Sequence, residues 1–323
     1  MKALVFCLFG MLMSIGSIEA HMMHQKAPIA GEWKEENLNP FDELMLSWNA
    51  SRPAKGKFLF YLSVKTDAWS PWLLYASWSS EGQSSFLNSA PESSVKVFQD
   101  ALEVLDGKQA IGFQIKVVAE EGASLKGINA LHVYTNSDRS QEPQKLDSFA
   151  TSIHLKVSGL SQMTVDHMRH KDLCSPTSVT AVTRYLKNDS TINPVDVAQK
   201  VWDSGFDIYG NWVFNVAQAS AELGPEWNCW VERLNGFETI CKQLAQGNPV
   251  VVSVKGPLSG SALPYAKGHL MVVTGYDFVN QKVLCMDPSF PTDQATEVSY
   301  DFSDFMQAWN RRGKVAYIFR KKS

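Results

Sequence analysis

The chain has 323 residues, of which 45% are hydrophobic and 20% are charged, and its formal net charge is −3. This composition is ordinary for globular proteins and excludes a disordered chain, and the length is sufficient for two domains with separate cores. The small negative charge provides no strong positive field for a polyanion, so we expect no nucleic-acid partner.

The first twenty residues, MKALVFCLFGMLMSIGSIEA, have the pattern of a secretory signal peptide. Lys2 precedes an almost unbroken apolar run that extends to Ile18, and Ala20 is a small residue where a signal peptidase could cleave. We predict a signal peptide over residues 1–20 and a protein that is secreted or lies in the periplasm or cell envelope. An uncleaved amphipathic anchor is the alternative. No later segment approaches the roughly 18 apolar residues of a membrane span, so we expect no stable span.

Four of the five cysteines follow the predicted signal peptide: Cys174, Cys229, Cys241 and Cys285. In an oxidising compartment an even number is commonly interpreted as two disulfides. A chain of this length can be stabilised by its hydrophobic core alone, so at least one cysteine is available for reactivity. Cys229 and Cys241 flank a stretch that we interpret as irregular, and these two residues could pair.

The N-terminal half, residues 30–150, has the short alternating pattern that is typical of β-strands. Strands are predicted at residues 57–66, 72–79 and 112–120. Turn residues separate these segments, so we predict an antiparallel β-sandwich, followed by a polar linker over residues 135–148. Trp69, Trp72 and Trp78 belong to the sandwich core or form a platform on which a sugar could stack.

Residues 151–323 have a different pattern, in which helices come first and strands follow. Helices are predicted after Pro176 and at residues 193–205, 211–224 and 236–248. Strands are predicted at residues 249–255, 269–277, 282–289 and 314–319. Because the helices and strands do not alternate as βαβ units, the pattern indicates an α+β fold.

Three residues of this second half could perform nucleophilic chemistry together. Cys174 lies where a helix is predicted to begin, and a helix N-terminus with a nearby imidazolium lowers the pKa of a thiol. His269 begins a predicted strand, and Asp287 ends the next one, so this carboxylate could orient that imidazole. Each residue also has a purely structural interpretation, as a buried cysteine, a core histidine and a turn-forming Asp-Pro pair.

His167, His170 and Cys174 are also spaced as zinc ligands could be, because imidazole and thiolate both bind zinc. No second pair of ligands with comparable spacing follows, and a zinc site would leave the Gly268-His269 pair unexplained. We therefore expect neither a metal ion nor another cofactor.

Three features occur in a characteristic order: the helix-opening Cys174, then GHLMVVTGYD at residues 268–277, then MDPSF at residues 286–290. They resemble the papain-like cysteine peptidases of the bacteriocin-processing (double-glycine) group and their secreted bacterial relatives. The resemblance covers roughly residues 155–320 and includes QGNPVVVSV before the histidine strand. It implies a papain-like domain over residues 151–323. The N-terminal half resembles a β-rich domain found ahead of such peptidase domains in some secreted bacterial proteins.

Position by position, the resemblance implies that Cys174 is the nucleophile, His269 the general base and acid, and Asp287 the orienting carboxylate. Gln162 lies twelve residues before Cys174, where relatives often have a glutamine that donates to the oxyanion. The backbone N–H of Cys174 would be the second donor. The sequence departs from the family pattern at Ser175, since many members have glycine directly after the cysteine.

We therefore predict a secreted thiol peptidase that hydrolyses peptide bonds through an acyl-enzyme. Its expected partner is a peptide or protein substrate, with cell-wall peptide stems as one possibility. Two alternatives remain open at this point. The chain could be a non-catalytic papain-like binding protein whose β domain recognises a glycan or a protein. It could also be an amidase or acyl transferase that uses the same three residues.

Overall fold

The computed structural model describes residues 21–26, 31–137 and 151–322. The predicted signal peptide, residues 1–20, lies outside the described residues, and so does most of the predicted linker. Within the described residues the chain has a mixed α+β fold with three antiparallel sheets and five α-helices. The α+β class predicted from the sequence is confirmed.

The N-terminal half consists mainly of strands: β1 (His21–Lys26), β2 (Glu32–Phe41), β3 (Glu43–Ala50), β4 (Lys57–Lys65), β5 (Leu73–Ser79), β6 (Gln83–Ser85), β7 (Leu87–Ala90), β8 (Val95–Phe98), β9 (Ala101–Val104), β10 (Ala110–Glu120) and β11 (Ile128–Asn136). They form one sheet of order β1-β11-β3-β9-β8-β7 and a second of order β2-β10-β4-β5-β6. The strands predicted at 57–66, 72–79 and 112–120 are confirmed as β4, β5 and β10.

The three tryptophans of the N-terminal half have different surroundings. Trp78 is completely buried and stacks at 6.4 Å from Phe58, whereas the Trp72 side chain is 37% exposed. Trp69 is partly buried beneath the amine of Lys34, which lies 5.0 Å from the ring centroid. Trp78 is therefore a core residue, and the three rings do not form one sugar platform.

The second half contains β12 (Ile153–His154), α1 (Cys174–Lys187), α2 (Pro194–Val201), α3 (Trp212–Leu223), β13 (Trp227–Arg233), α4 (Phe237–Ala245), β14 (Val250–Val254), β15 (His269–Asp277), β16 (Lys282–Met286), β17 (Glu297–Asp301), α5 (Phe302–Asn310) and β18 (Val315–Lys321). Its sheet has the order β13-β18-β14-β15-β16-β17, and β12 also pairs with β15. The four predicted helices and four predicted strands are present, but β12, β13, β17 and α5 were not predicted from the sequence.

Strand β3 joins the two halves, because both of its faces are covered and every residue in it is buried. On one face of β3, polar side chains at alternate positions form an ion pair and hydrogen bonds with β13. Arg233 donates to both carboxylate oxygens of Glu43 at 2.6 and 2.7 Å. Asn49 accepts from Cys229 N–H at 2.9 Å and donates to its carbonyl at 2.6 Å. These bonds satisfy polar groups that would otherwise be costly to bury.

Apolar contacts continue across the same junction. Trp48 of β3 stacks on Phe60 of β4 with ring centroids 4.2 Å apart, and meets Phe214 of α3 at 5.8 Å. One hydrophobic cluster therefore contains core residues of both N-terminal sheets together with α1, α3 and one face of the C-terminal sheet. The predicted division into domains near residue 150 remains a prediction.

The other face of the C-terminal sheet packs on α4 and α5 in a second cluster. Cys229 on β13 points into the first cluster and Cys241 on α4 into the second, so the sheet separates their side chains. Both thiols are free, and the possible pairing of Cys229 with Cys241 is wrong. The stretch between them is not irregular but contains most of strand β13.

Among the residues that the structure describes, no helix combines the length and the apolar character that crossing a membrane requires.

Candidate active site

Cys174 is the first residue of α1, and its side chain is partly buried. The backbone N–H groups of Ser175 and Leu270 donate to its sulfur atom. Ser178, one turn along the helix, donates from its hydroxyl to the Leu270 carbonyl at 3.1 Å. The start of α1 is thereby tied to the start of β15, where His269 is the first residue.

Ser175, the departure from the family pattern, is buried and lies at an ordinary helical N-terminus. Its hydroxyl forms a hydrogen bond of 2.9 Å with the Tyr317 hydroxyl. The serine side chain therefore has a polar partner inside the core. A glycine is not required at this position, because the helix accommodates the Cβ atom.

His269 lies between the thiol and a carboxylate. Its Nε2 is 2.8 Å from Asp287 Oδ1, and its side chain also forms a hydrogen bond with the Cys174 thiol. Since Nε2 faces the carboxylate, Nδ1 is the ring nitrogen available to the sulfur. The residue before it, Gly268, has φ of +102°, a conformation that favours glycine and allows the turn to enter β15.

Asp287 is completely buried, and hydrogen bonds hold both of its carboxylate oxygens. Oδ1 accepts from the Ser289 backbone N–H at 3.0 Å and from its hydroxyl at 2.8 Å, in addition to the His269 contact. Oδ2 accepts from the hydroxyls of Tyr265 at 2.7 Å and Tyr300 at 2.6 Å. Such a set of donors keeps a buried carboxylate ionised and fixed in orientation.

Cys174, His269 and Asp287 stabilise one another's charged forms. Burial acts to raise the pKa of Asp287, but His269 and the two tyrosine hydroxyls outweigh it and the pKa lies well below its usual value. Burial acts to lower the pKa of His269, but Asp287 and Cys174 raise it to about 10. Burial acts to raise the pKa of Cys174, yet His269 and the N–H donors lower it below its usual value. Both shifts favour the ion pair of a thiolate with an imidazolium over the neutral pair.

Gln162 is buried near the start of α1, but its amide is engaged elsewhere. Its Nε2 donates to the carbonyls of His170 at 3.1 Å and Lys171 at 2.8 Å, while Oε1 has no partner within the described part of the chain. Its backbone N–H donates to the Pro288 carbonyl at 2.8 Å. The Asp287 turn and the segment before Cys174 are thus linked through Gln162, and its predicted role as an oxyanion donor remains a prediction.

Three residues that bond to Asp287 were not predicted from the sequence: Tyr265, Ser289 and Tyr300. Ser289 has a local signal, because a serine two residues after an aspartate commonly bonds back to it in a turn. The two tyrosines have none. Tyr265 comes from the loop before β15 and Tyr300 from β17, and only the tertiary fold brings them to Asp287.

Histidine and thiol groups near Cys174 do not form a metal site. Within residues 21–26, 31–137 and 151–322, no group of three or more His, Cys, Asp or Glu side chains converges on a point where an ion could bind. His170 directs Nδ1 to the His167 carbonyl at 3.2 Å, and His167 Nε2 lies 3.5 Å from the Tyr209 hydroxyl.

A family model described as the Peptidase_C39 like family matches residues 154–317, which contain every residue of the site described above. The chain belongs to this C39-like peptidase family. Family membership indicates a cysteine peptidase with a peptide or protein substrate, and it confirms the resemblance found in the sequence.

Two further comparisons bear on this C39-like chain. It is similar to the crystal structure of a chain described as a C39-like peptidase from Bacillus anthracis, with 19% identity and a TM-score of 0.41. The similarity covers 54% of this chain and 99% of that one. No curated protein matches.

Proposed function

We propose that the chain is a secreted thiol peptidase in which Cys174, His269 and Asp287 act as nucleophile, general acid and base, and orienting carboxylate. The observation that carries this proposal is the position of His269, which contacts the Cys174 thiol through one side of its ring and the buried Asp287 carboxylate through the other. This order of groups is the one that nucleophilic catalysis by a thiol requires.

The reaction follows from these contacts. The Cys174 thiolate attacks the peptide carbonyl carbon, and the imidazolium of His269 gives its proton to the departing amine as the C–N bond breaks. An acyl-enzyme remains on the sulfur atom. The imidazole then accepts a proton from water, which attacks the thioester and releases the carboxylic acid product. The C–S bond breaks as this second intermediate collapses, and the released thiolate lies beside the imidazolium that holds the water proton, so the original ion pair is restored.

The oxyanion of each tetrahedral intermediate would be held by the Cys174 backbone N–H and by the Gln162 amide. Gln162 Nε2 already donates to two backbone carbonyls, at 3.1 and 2.8 Å. Its participation therefore requires that one of these hydrogen bonds is exchanged for the oxyanion as the substrate reacts.

The place of action is inferred from the predicted signal peptide, which would deliver the enzyme to the cell envelope or beyond. Peptides at that location, including cell-wall peptide stems, are therefore the substrates that we propose. Strand β3 of the two N-terminal sheets, which we interpret as a β-sandwich, packs on β13 through the Glu43–Arg233 ion pair and on α3 through the Trp48–Phe214 ring contact. These sheets stabilise the half of the chain that contains Cys174, and binding of a ligand would be a second role.

The non-catalytic alternative depended on two features. A disulfide at Cys174 would block the thiol, but Cys174 is free. Ser175 could have disturbed the helix start, but its hydroxyl is bonded to Tyr317. Neither feature favours a degenerate scaffold over an enzyme.

Cleavage of a diverse peptide mixture, followed by mass spectrometry, tests the proposal. Cys174→Ala and His269→Ala should each abolish turnover, because nucleophile and base act as a unit. Cys241→Ala, which alters a buried thiol on α4, and His154→Ala, on exposed β12, are matched controls and should retain activity. Activity retained in both site variants contradicts the proposal. A second product formed only with added amine would indicate acyl transfer.

A further inference from the structure

Arg312 borders the candidate site from the turn between α5 and β18. Its guanidinium group lies against Gly268, where a side chain would meet Arg312 Nε at 3.4 Å. Arg312 is partly exposed, and it interacts electrostatically with the Cys174 thiolate. This cation therefore lies beside the residue that precedes His269, at the end of the sheet where the thiol is located.

A comparison with Arg233 shows what is unusual about Arg312. Both guanidinium groups lie over the Trp212 ring, at 5.9 Å for Arg233 and 5.3 Å for Arg312. Arg233 forms a bidentate ion pair with Glu43, at 2.6 and 2.7 Å. The Arg312 guanidinium forms no ion pair with any described residue, and its one hydrogen bond within that part of the chain runs from Nε to Ser253 Oγ at 3.2 Å.

Asp100 is the acidic residue with the largest electrostatic effect on Arg312, but it does not cancel this charge. Its carboxyl group is buried and accepts from the Trp212 backbone N–H at 3.2 Å. Burial raises the pKa of Asp100 to about 8. At neutral pH this carboxyl is therefore mainly protonated, and the Arg312 charge persists.

A half-buried guanidinium without a carboxylate partner is costly, because the partial loss of water is not offset by an ion pair. The planar fork of arginine matches a carboxylate better than any other common group. Trp212 and Ser253 hold the Arg312 group in place, so little further ordering is needed on binding. These features describe a preformed site for an incoming carboxylate.

We propose that Arg312 is a specificity residue that binds a carboxylate of the substrate close to the scissile bond. The carboxylate belongs either to an acidic side chain or to the C-terminus of a peptide, since both have the same chemistry. This inference rests on the proposed peptidase function and adds a substrate class to it, namely peptides with a free carboxylate close to the cleaved bond.

Matched peptide pairs test the proposal with the full chain. One series replaces glutamate by glutamine at each position around the cleaved bond, and a second replaces the C-terminal carboxylate by an amide. We expect the wild type to favour the acidic member of one series, which identifies the source of the carboxylate. In Arg312→Gln the acid-to-neutral ratio of kcat/KM should fall about 10- to 100-fold, as for loss of a charged hydrogen bond.

Two variants separate recognition from structural support. Arg312→Lys should retain part of the preference, because the charge remains but the fork is lost. Arg320→Gln is the matched control, since Arg320 lies over the Trp230 ring at 5.1 Å on the exposed end of β18. The proposal is overturned if the acid-to-neutral ratio of kcat/KM in Arg312→Gln equals that of the wild type. This holds whether kcat/KM falls equally for both peptides or does not fall.

If the wild type cleaves no peptide, the proposed function fails and alkylation of Cys174 decides the role of Arg312. Iodoacetate carries a carboxylate and iodoacetamide a neutral amide of nearly the same size. The ratio of the alkylation rate with iodoacetate to that with iodoacetamide should fall several-fold in Arg312→Gln. The same ratio should stay at the wild-type value in Arg320→Gln. An equal ratio in Arg312→Gln and the wild type would then refute carboxylate binding.

Discussion

The Tyr265 ring lies face to face with the His269 imidazole, with ring centroids 4.0 Å apart and planes 12° apart. The hydroxyl of the same tyrosine donates to Asp287 Oδ2 at 2.7 Å. One side chain therefore restrains both the imidazole and the carboxylate that orients it. The imidazole cannot rotate without losing the stacked contact and the hydrogen bond to Asp287 together.

Tyr265→Phe keeps the stacked ring and removes one donor to Asp287, whereas Tyr265→Leu removes both. We expect kcat to fall by about 2- to 10-fold in Tyr265→Phe, the value of one net hydrogen bond, and further in Tyr265→Leu. KM should change little, because neither contact involves the substrate. Tyr276→Phe, which loses only a bond of 2.9 Å to Gln281, is the control in the same assay. Equal kcat values for Tyr265→Phe and Tyr265→Leu would contradict a positioning role for the stacked ring.

The pH dependence of kcat/KM should show an alkaline limb near pH 10. The pKa of Cys174 is lowered and that of His269 is raised to about 10, so the reactive ion pair persists between them. Activity should fall as the pH passes about 10, because His269 then has no proton for the leaving amine. Asp287→Asn removes the charge that holds this proton, so the alkaline limb should move to lower pH.

A pH–rate profile of each variant checks this expectation. Asp277→Asn, at the opposite end of β15, serves as the control and should reproduce the wild-type profile. An alkaline limb that does not move in Asp287→Asn would mean that Asp287 does not set the pKa of His269.

Gln162→Ala distinguishes an oxyanion donor from a support for the helix start. As a donor in the transition state, Gln162 would contribute to kcat and not to KM, and its loss should lower kcat by roughly 10- to 1000-fold. Cys174 should still react with iodoacetamide at close to the wild-type rate, since its activation depends on His269 and the helix N-terminus. Joint loss of alkylation and of kcat would assign Gln162 to holding the carbonyls of His170 and Lys171. An unchanged kcat would exclude both roles.

Asp100→Asn should change how stability depends on pH. Burial raises the pKa of Asp100 to about 8, whereas an unfolded aspartate ionises near pH 3.9. Between these values the native state binds more protons, so the wild-type free energy of unfolding falls as the pH rises. Asparagine still accepts from Trp212 N–H but does not ionise. The stability of Asp100→Asn relative to the wild type should therefore increase from pH 5 to pH 9.

Denaturant unfolding at several pH values measures this difference. Asp106→Asn, in the exposed turn before β10, is the matched control and should follow the wild type. A constant difference between Asp100→Asn and the wild type over this pH range would show that the native carboxyl ionises normally.

The sequence predicted the parts of the site that depend on local order along the chain. A cysteine at a helix start, a histidine at a strand start and an aspartate after a strand can each be recognised from the pattern around them. Tyr265 and Tyr300 could not be predicted, because they reach Asp287 through a loop and an edge strand that are far from it in sequence. Strand β13 was missed for a related reason: Cys229, Trp230 and Val231 are buried in succession, so WNCWVER lacks clear alternation.

The cluster that joins β3 to α3 and β13 also determines how the molecule can be divided. Cutting the chain near residue 150 would expose Phe214 and leave the buried charge of Arg233 without Glu43, since their partners lie in the N-terminal half. A fragment that begins there would expose the apolar surface around Phe214 to water, and we expect this fragment to aggregate. The N-terminal strands should therefore be retained in any truncated form of the protein, because the half that contains Cys174 packs against them.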